Sequence, residues 1–102
     1  MDEVMEMTPG HFELGERLDV AEAGALAKEL TEFLEKAKTD IEIGLGRVRI
    51  VDTAGVQLMI AFAREAQKRG RMVRFGELSD AFSEAARLLG VAKEFATPCR
   101  SA

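Results

Sequence analysis

The sequence predicts one α/β domain with a mixed β-sheet, and the chain length and the order of its elements support this prediction. The chain has 102 residues, which is close to the commonest size of a single domain. Segments in which apolar and polar residues alternate, as they do in strands, are separated by segments with the 3.6-residue period of a helix. The elements follow one another in the order β-β-α-β-α-β-α, which is typical of an α/β domain.

The first part of the chain predicts two short strands and a long helix. Asp19 is the expected N-cap of this helix, which should span residues 20–38 because its apolar side chains repeat at helical spacing. The segments expected before it are a strand at 4–7, a turn at 8–10, a strand at 11–14 and a bend at 15–17.

The middle of the chain predicts a strand that leads directly into a second helix. The strand pattern covers residues 41–51 and is interrupted by Gly44 and Gly46, which indicate a bend or a close approach of backbone. The helix should follow Asp52-Thr53 and last until Gly70, its expected C′ residue. Its apolar residues lie on two faces, which indicates either burial within the domain or a surface reserved for a partner.

The last part of the chain predicts a strand, a third helix and a flexible tail. The strand covers residues 72–75, and Ser79 or Asp80 should cap the helix that Gly90 closes. A short element is expected at 91–95 and the tail at 96–102, which completes a single domain over residues 1–102. The predicted buried stripe of the third helix consists of Leu78, Phe82, Ala85, Ala86 and Leu89.

The composition leaves few residue types for catalysis, metal binding or nucleic-acid binding. His11 and Cys99 are the single histidine and the single cysteine, which excludes an internal disulfide, a structural zinc site and a histidine cluster. The 14 basic and 18 acidic residues give a net charge of −4, whereas a nucleic-acid binder needs a basic excess. No nucleophile–base pair and no phosphate-binding glycine loop is visible. We therefore expect a non-enzymatic protein with no cofactor, no metal and no nucleic-acid ligand.

Hydropathy and the N-terminus predict a cytoplasmic protein with no membrane insertion. The longest apolar run, Leu58–Ala63, has six residues, whereas a membrane-spanning helix needs about 20. The chain begins with acidic residues, unlike a secretory signal.

Charge is unevenly distributed along the chain. Residues 1–46 contain 12 acidic and 4 basic side chains, net −8, whereas residues 47–102 contain 6 acidic and 10 basic ones, net +4. Five basic residues surround the end of the second helix, where they fit either a solvated helix end or a docking site for an acidic partner. These five are Arg64, Lys68, Arg69, Arg71 and Arg74.

The junction between the strand and the second helix is the most informative segment. Asp52 or Thr53 can accept hydrogen bonds from the free N–H groups of the first helical turn, which explains these residue types structurally. The same geometry exposes the Thr53 hydroxyl at the positive end of the helix dipole. Phosphorylation there would add about −1.5 to −2 charges at a surface that a partner could cover. The residues alone leave both interpretations open.

Three motifs resemble those of the STAS domains (sulfate transporter and anti-sigma factor antagonist). Residues 52–56, DTAGV, stand where that family has Asp-Ser-Ser-Gly-Leu at the start of a helix. Residues 14–19, LGERLD, are similar to its segment L-x-G-x-L-D with one extra residue, and residues 78–91 are similar to its closing helix. The resemblance covers about residues 3–95. It implies a four- to five-stranded mixed sheet with three to four helices packed mainly on one side.

The resemblance also implies a regulatory role. Bacterial STAS proteins of this size typically bind an anti-sigma factor or a related serine/threonine kinase of the histidine-kinase-like ATPase class. Phosphorylation of the residue after the motif aspartate breaks the complex, and in this chain that residue is Thr53. The chain is then expected to be an anti-sigma factor antagonist-like partner-switching module. The implied partner-binding residues are Asp19, Asp52, Thr53, Ala54, Gly55, Val56 and Leu58.

The motif departs from the family pattern in ways that keep other roles open. Ala54 replaces the second serine, and Gly44 and Gly46 stand where the preceding strand often has an acidic residue and a serine. The Asp-Thr-Ala-Gly variant is also similar to STAS proteins of chemotaxis-type signalling clusters. It is similar as well to the STAS subunit of the Mla lipid-transport ABC complex, whose threonine region packs against the ATPase subunit. A sensor of nucleotides or lipids is a further alternative.

Overall fold

Strands and helices alternate along residues 10–96, which are the residues that the computed structural model describes. The predicted strand at 4–7 and residues 97–102 of the predicted tail lie outside this range. The elements are β1 (Gly10–Glu13), β2 (Arg17–Leu18), α1 (Val20–Lys36), β3 (Ile41–Leu45), β4 (Ile50–Val51), α2 (Thr53–Lys68), β5 (Val73–Leu78), α3 (Asp80–Leu88) and a 3₁₀ helix (Ala92–Phe95).

The strands form two parallel sheets. The larger sheet has the order β1-β3-β5, and the smaller sheet pairs β2 with β4. In the larger sheet Phe12 lies opposite Ile43, which lies opposite Phe75. Successive strands of this sheet are connected by a strand of the smaller sheet and a helix, since parallel neighbours need a long crossover. The predicted α/β class is confirmed. Within residues 10–96 every strand pair is parallel, so the antiparallel pairing of a mixed sheet would have to involve other residues.

The smaller sheet corrects one prediction. Residues 15–17 were expected to form a bend, but Arg17 begins β2, with Arg17 opposite Ile50 and Leu18 opposite Val51. The backbone N–H groups of Arg49 and Ile50 both donate to the Glu16 carbonyl, at 2.8 and 3.0 Å. A strand of two residues is too short to show an alternating pattern, and its partner lies more than 30 residues away in the sequence.

The three helices pack on one face of the larger sheet, as predicted. Side chains that point towards the helices belong to the core, whereas the opposite face is polar. On that polar face His11 Nδ1 lies 3.3 Å from Glu42 Oε1, and an Arg74 guanidinium nitrogen lies 3.5 Å from Glu42 Oε2. The most deeply buried large side chains of the core are Phe82, Leu14, Leu18, Leu30, Ile41, Ile43, Leu45, Met59, Val48 and Val56.

The second helix of the chain, α2, uses both of its apolar faces within the domain. Phe62 is buried and the half-buried Leu58 packs against the core. Both residues also line a shallow groove between α1 and α2. Burial within the domain therefore accounts for the two-faced pattern of this helix.

The helix ends at Gly70 and Gly90 and the cap at Ser79 follow the predictions, whereas three other details differ. Gly70 and Gly90 have φ values of +78° and +75°, which favour glycine, and Ser79 Oγ accepts the Phe82 N–H at 3.0 Å.

The helix α1 ends at Lys36 and not at residue 38, because the backbone of Ala37 is extended, with φ of −70° and ψ of 134°. Leu78, predicted in the buried stripe of α3, is the last residue of β5, since that strand continues beyond the predicted residues 72–75. Leu89 was predicted in the buried stripe of α3, but it is 41% exposed. Leu89 is the C-cap residue, after the last residue of α3, whereas Phe95 is buried and packs edge-on against Phe82 with ring centroids 4.8 Å apart.

Candidate functional site

The parallel pairing of β2 with β4 brings the N-termini of α1 and α2 side by side. Each of these strands is followed by one aspartate and then by a helix, so Asp19 caps α1 and Asp52 caps α2. Both caps have extended backbone, with φ and ψ of −131° and −179° at Asp19 and −130° and −176° at Asp52. The Asp52 N–H donates to the Leu18 carbonyl at 3.3 Å, which continues the pairing up to the helix start.

The Asp52 carboxylate is hydrogen-bonded to the first turns of both helices. Its Oδ1 accepts the Gly55 N–H of its own helix at 3.0 Å, and its Oδ2 accepts the Val20 N–H of α1 at 3.0 Å. N–H groups in the first helical turn have no partner within the helix, so each of these contacts satisfies a group that would otherwise need water. One side chain thereby fixes the position of one helix start relative to the other.

These hydrogen bonds also hold the Asp52 carboxyl in its ionised form. The Val20 N–H, followed by the Gly55 N–H, lowers the pKa of Asp52 from its ordinary value of 3.8. The physical cause is that an N–H group donates to a carboxylate more strongly than to a neutral carboxylic acid. The junction therefore carries a fixed negative charge next to Thr53.

Asp19 is held differently, because its second oxygen faces an arginine. Its Oδ1 accepts the Glu22 N–H at 3.2 Å, and its Oδ2 lies 2.7 Å from an Arg17 guanidinium nitrogen. Asp19 is only 9% exposed, and the arginine compensates a charge that burial would otherwise penalise. Over residues 10–96, the side-chain hydrogen bonds of Asp19 therefore stabilise the start of α1 and do not extend to α2.

Gly55 allows α2 to begin directly against β2. A Cβ atom at this position would overlap the Leu18 carbonyl oxygen and would come within 2.7 Å of Leu18 Cγ. Backbone cannot move away as a flexible side chain can, so a larger residue would push the first turn of α2 off β2. The motif glycine is thus required by close packing at the junction.

Thr53 is the first residue of α2 and its side chain is exposed. Within residues 10–96 its hydroxyl has no hydrogen-bond partner. Val20, whose N–H is bound by the neighbouring Asp52, is 70% exposed. We call Val20, Thr53 and the half-buried Ala54 the junction surface. It combines an exposed hydroxyl and an exposed apolar side chain on two helix starts that one carboxylate holds together.

The remaining predicted partner-binding residues on α2 are buried or half-buried. Gly55 and Val56 are buried, and Leu58 is half-buried against the core. Val56 and Leu58 therefore position α2 through their side chains and Gly55 through its close backbone approach to Leu18, whereas Thr53 and Val20 are exposed.

Sequence reasoning did not identify Arg17 or Val20 as part of this site. Arg17 lies two residues before the Asp19 cap, a spacing at which strand side chains share a face, so its pairing with Asp19 had a weak local signal. The contact from Val20 to Asp52 spans 32 positions and depends on the pairing of two two-residue strands. It had no signal in the sequence.

The chemistry available elsewhere is limited. In the part of the chain that the structure describes, no three His, Cys, Asp or Glu side chains are grouped so that they could hold a metal ion. His11 Nε2 lies 2.8 Å from Glu13 Oε1 on the polar sheet face, and this contact is the largest cause of its raised pKa. Over residues 10–96, every helix is too short or too polar to cross a bilayer.

Comparison with known proteins agrees with this architecture. The family model described as "Mlab, STAS domain" matches residues 2–97. The crystal structure of a sulfate transporter family protein from Wolinella succinogenes is similar in fold, with a TM-score of 0.66 at 18% sequence identity. That alignment covers 84% of this chain and 70% of the other. None of the curated proteins matches this chain. Since the family model covers nearly the whole sequence, the chain belongs to the STAS domain family.

Proposed function

We propose that this chain is a non-enzymatic regulatory module that binds a protein partner through the junction surface. The observation that supports this proposal is that Thr53 and Val20, which is 70% exposed, lie exposed at two helix starts that the Asp52 carboxylate joins. An exposed apolar side chain gains free energy when a partner covers it, and a free hydroxyl supplies a directional hydrogen bond. Because Asp52 holds both helix starts, the partner meets a surface that is already ordered, which lowers the entropy cost of binding.

Phosphorylation of Thr53 is the proposed control of this binding. A phosphate at the first position of α2 lies at the positive end of the helix dipole, so the fold tolerates it. The same phosphate lies next to the Asp52 carboxylate, and a partner packed on the junction surface would have to bury both charges. The modified protein should therefore stay folded and lose its partner. On this hypothesis the partner is an anti-sigma factor or kinase of the histidine-kinase-like ATPase class, or a component of a chemotaxis-type cluster.

The second candidate is a subunit that binds and regulates the ATPase of an ABC lipid transporter. The description of the matching family, "Mlab, STAS domain", favours this candidate, as does Ala54 in place of a second hydroxyl. Here the junction surface packs on the ATPase subunit and no phosphorylation is required. The kinase of the first candidate and the ATPase subunit of the second both use ATP, so a cytoplasmic location forms part of the proposal.

The test is to capture partners from the native host with the tagged chain and with Thr53 variants. We expect the wild-type chain and Thr53→Ser to retain one specific partner and Thr53→Glu to lose it. Ser83→Glu is the matched control, because Ser83 is an exposed residue of α3 away from the junction. Equal capture by wild type and Thr53→Glu would argue against the junction surface as the binding site.

The identity of the partner and the state of Thr53 separate the two candidates. A histidine-kinase-like ATPase that transfers phosphate to Thr53, located by mass spectrometry, supports partner switching. An ABC ATPase that binds an unphosphorylated chain supports the transporter subunit. Phosphate on another residue, with partner binding unaffected by Thr53→Glu, would contradict both.

A further inference from the structure

A groove runs along the face of α2 that is turned towards the end of α3. Its upper part, of about 360 Å³, is lined by Val56, Gln57, Ile60, Arg64, Leu89 and Val91. Its lower part, of about 280 Å³, shares Ile60 and Arg64 and continues along Gln67, Val73, Lys93 and Glu94. The two parts share Ile60 and Arg64, so they lie next to each other along α2. From Gln57 to Gln67 they together extend for about 15 Å, at the helical rise of about 1.5 Å per residue.

The upper part of this groove is mainly apolar and includes the side chain that departed from its predicted burial, whereas the lower part is more polar. Ile60 and Val91 are half-buried, and Leu89 is 41% exposed although it belongs to the apolar period of α3. An aliphatic side chain at the wall of an apolar groove is a suitable contact for another apolar side chain.

The rim of the groove is mainly basic. Within residues 10–96, Arg64 and Lys93 form no ion pair, although other arginines of the chain do, such as Arg69 with Glu65 at 3.2 Å. Glu94 is the single acidic side chain among the described lining residues. In a protein whose net charge is −4, this local positive charge indicates the chemistry of what binds there.

We propose that this groove binds an acidic amphipathic segment of a partner protein. Apolar side chains of that segment enter the depressions beside Ile60 and Leu89, and its carboxylates pair with Arg64 and Lys93. The length and shape of the groove suit a short helix laid beside α2, the arrangement in which an amphipathic helix binds an apolar groove. The inference goes beyond the junction surface, because none of the groove-lining residues belongs to that surface.

The test is a selection from a random-peptide phage library against the full chain, followed by binding measurements on the enriched peptides. We expect enriched sequences to be net acidic with apolar residues at i, i+3 or i+4 spacing. Arg64→Glu combined with Lys93→Glu should weaken their binding by about tenfold or more. Lys28→Glu combined with Lys38→Glu changes the net charge equally at exposed sites outside the groove and should have little effect.

A second pair of variants tests the apolar part of the groove. Leu89→Ser should weaken binding several-fold, whereas Leu88→Ser should not, because Leu88 is 68% exposed but does not line the groove. Amide chemical shifts should change at Ile60, Arg64 and Leu89 when the peptide is added.

Four outcomes would overturn the proposal. They are the absence of any enriched peptide, enrichment of basic or neutral peptides, equal loss of binding in both charge-reversed pairs, and chemical-shift changes confined to the junction surface. Two further experiments test for other occupants of the groove. Sedimentation with vesicles of phosphatidylglycerol and phosphatidylcholine that depends on Arg64 and Lys93 would assign the groove to an anionic membrane instead. Peptide binding that appears only after residues 97–102 are deleted would assign it to the chain's own C-terminus.

Discussion

The two aspartates that cap α1 and α2 have almost the same backbone conformation and different tasks. Asp19 is buried, caps only its own helix and pairs with Arg17 at 2.7 Å. Asp52 caps its own helix and also accepts the first N–H of the neighbouring helix, at 3.0 Å in each case. Local sequence explains the arrangement at Asp19. The arrangement at Asp52 depends on the pairing of β2 with β4, which are far apart in the sequence. Asp52 therefore joins the starts of two helices, whereas Asp19 caps only its own.

This difference has a consequence for the junction surface. Val20 and Thr53 lie on separate helices, and the Asp52 carboxylate holds the two helix starts in one arrangement. Asp19 could be replaced with a local loss of stability, but the loss of Asp52 would release one half of the surface from the other. Changes at the two caps and at Gly55, which packs on Leu18 in the first turn of α2, should therefore have effects of different size.

The largest expected effect is that of Gly55→Ala, which removes the close contact on which the junction depends. The new Cβ atom would overlap the Leu18 carbonyl oxygen, so we expect the free energy of unfolding to fall by about 3 kcal/mol. Gly24→Ala is the matched control, because Gly24 lies exposed in α1 with open space around it, and it should raise stability by about 0.5–1 kcal/mol. Urea unfolding of both variants checks this, and equal effects would show that the junction is not tightly packed.

The next effect is the difference between the two caps. Asp19→Ala should lower the free energy of unfolding by about 1 kcal/mol, as is usual for the loss of an N-cap. Asp52→Ala should lower it further, because two helix N–H groups lose their acceptor, and Asp52→Asn should lie between wild type and Asp52→Ala. Hydrogen exchange of the Val20 amide should become faster in Asp52→Ala and not in Asp19→Ala. A larger loss of unfolding free energy in Asp19→Ala than in Asp52→Ala would contradict the greater role assigned to Asp52.

A smaller effect is expected in the acid dependence of stability. The folded protein lowers the pKa of Asp52 below 3.8, so protonation favours the unfolded state. The stabilisation from this ionised group is fully present above pH 3.8 and is lost as the pH falls through the lower folded value. The stability difference between wild type and Asp52→Asn should therefore shrink in acid. Asp80→Asn, which removes one exposed carboxylate from the first turn of α3, is the control. A difference that stays constant or grows in acid would contradict the hydrogen-bonding scheme.

The smallest effect concerns His11 on the polar sheet face. Here stability should be lost as the pH rises, whereas at Asp52 it is lost as the pH falls. The hydrogen bond to Glu13, helped by Glu42, raises the pKa of His11 above 6.5. Its contribution to stability is fully present below pH 6.5 and is lost as the pH rises through the higher folded value. An NMR titration of the imidazole should show this increase, and Glu13→Gln should reduce it more than Glu42→Gln does. A His11 pKa below 6.5 would mean that these contacts do not persist in solution.

Much of this architecture could be predicted from the sequence, and what could not depends on long-range pairing. The helix starts at Asp19 and Ser79 and the helix ends at Gly70 and Gly90 were predictable, because caps depend on residues a few positions apart. The motif at 52–56 placed Thr53 at a helix start for the same reason. β2 was missed because a two-residue strand has no periodicity, and with it the contact from Val20 to Asp52 was missed. Leu89 fits the apolar period of α3 but is its exposed C-cap residue, and the period cannot show that Phe95, beyond the helix, is the side chain buried against Phe82.

The central claim is that partners bind the junction surface, and the measurement that tests it most directly is the partner's dissociation constant for Thr53→Glu and Ser83→Glu. A glutamate at the first position of α2 should leave the unfolding midpoint unchanged or slightly raised, because it lies at the positive end of the helix dipole. We expect Thr53→Glu to weaken binding by about tenfold or more, and Ser83→Glu to change it by less than about twofold. Equal affinities of the two variants, both folded, would contradict the account.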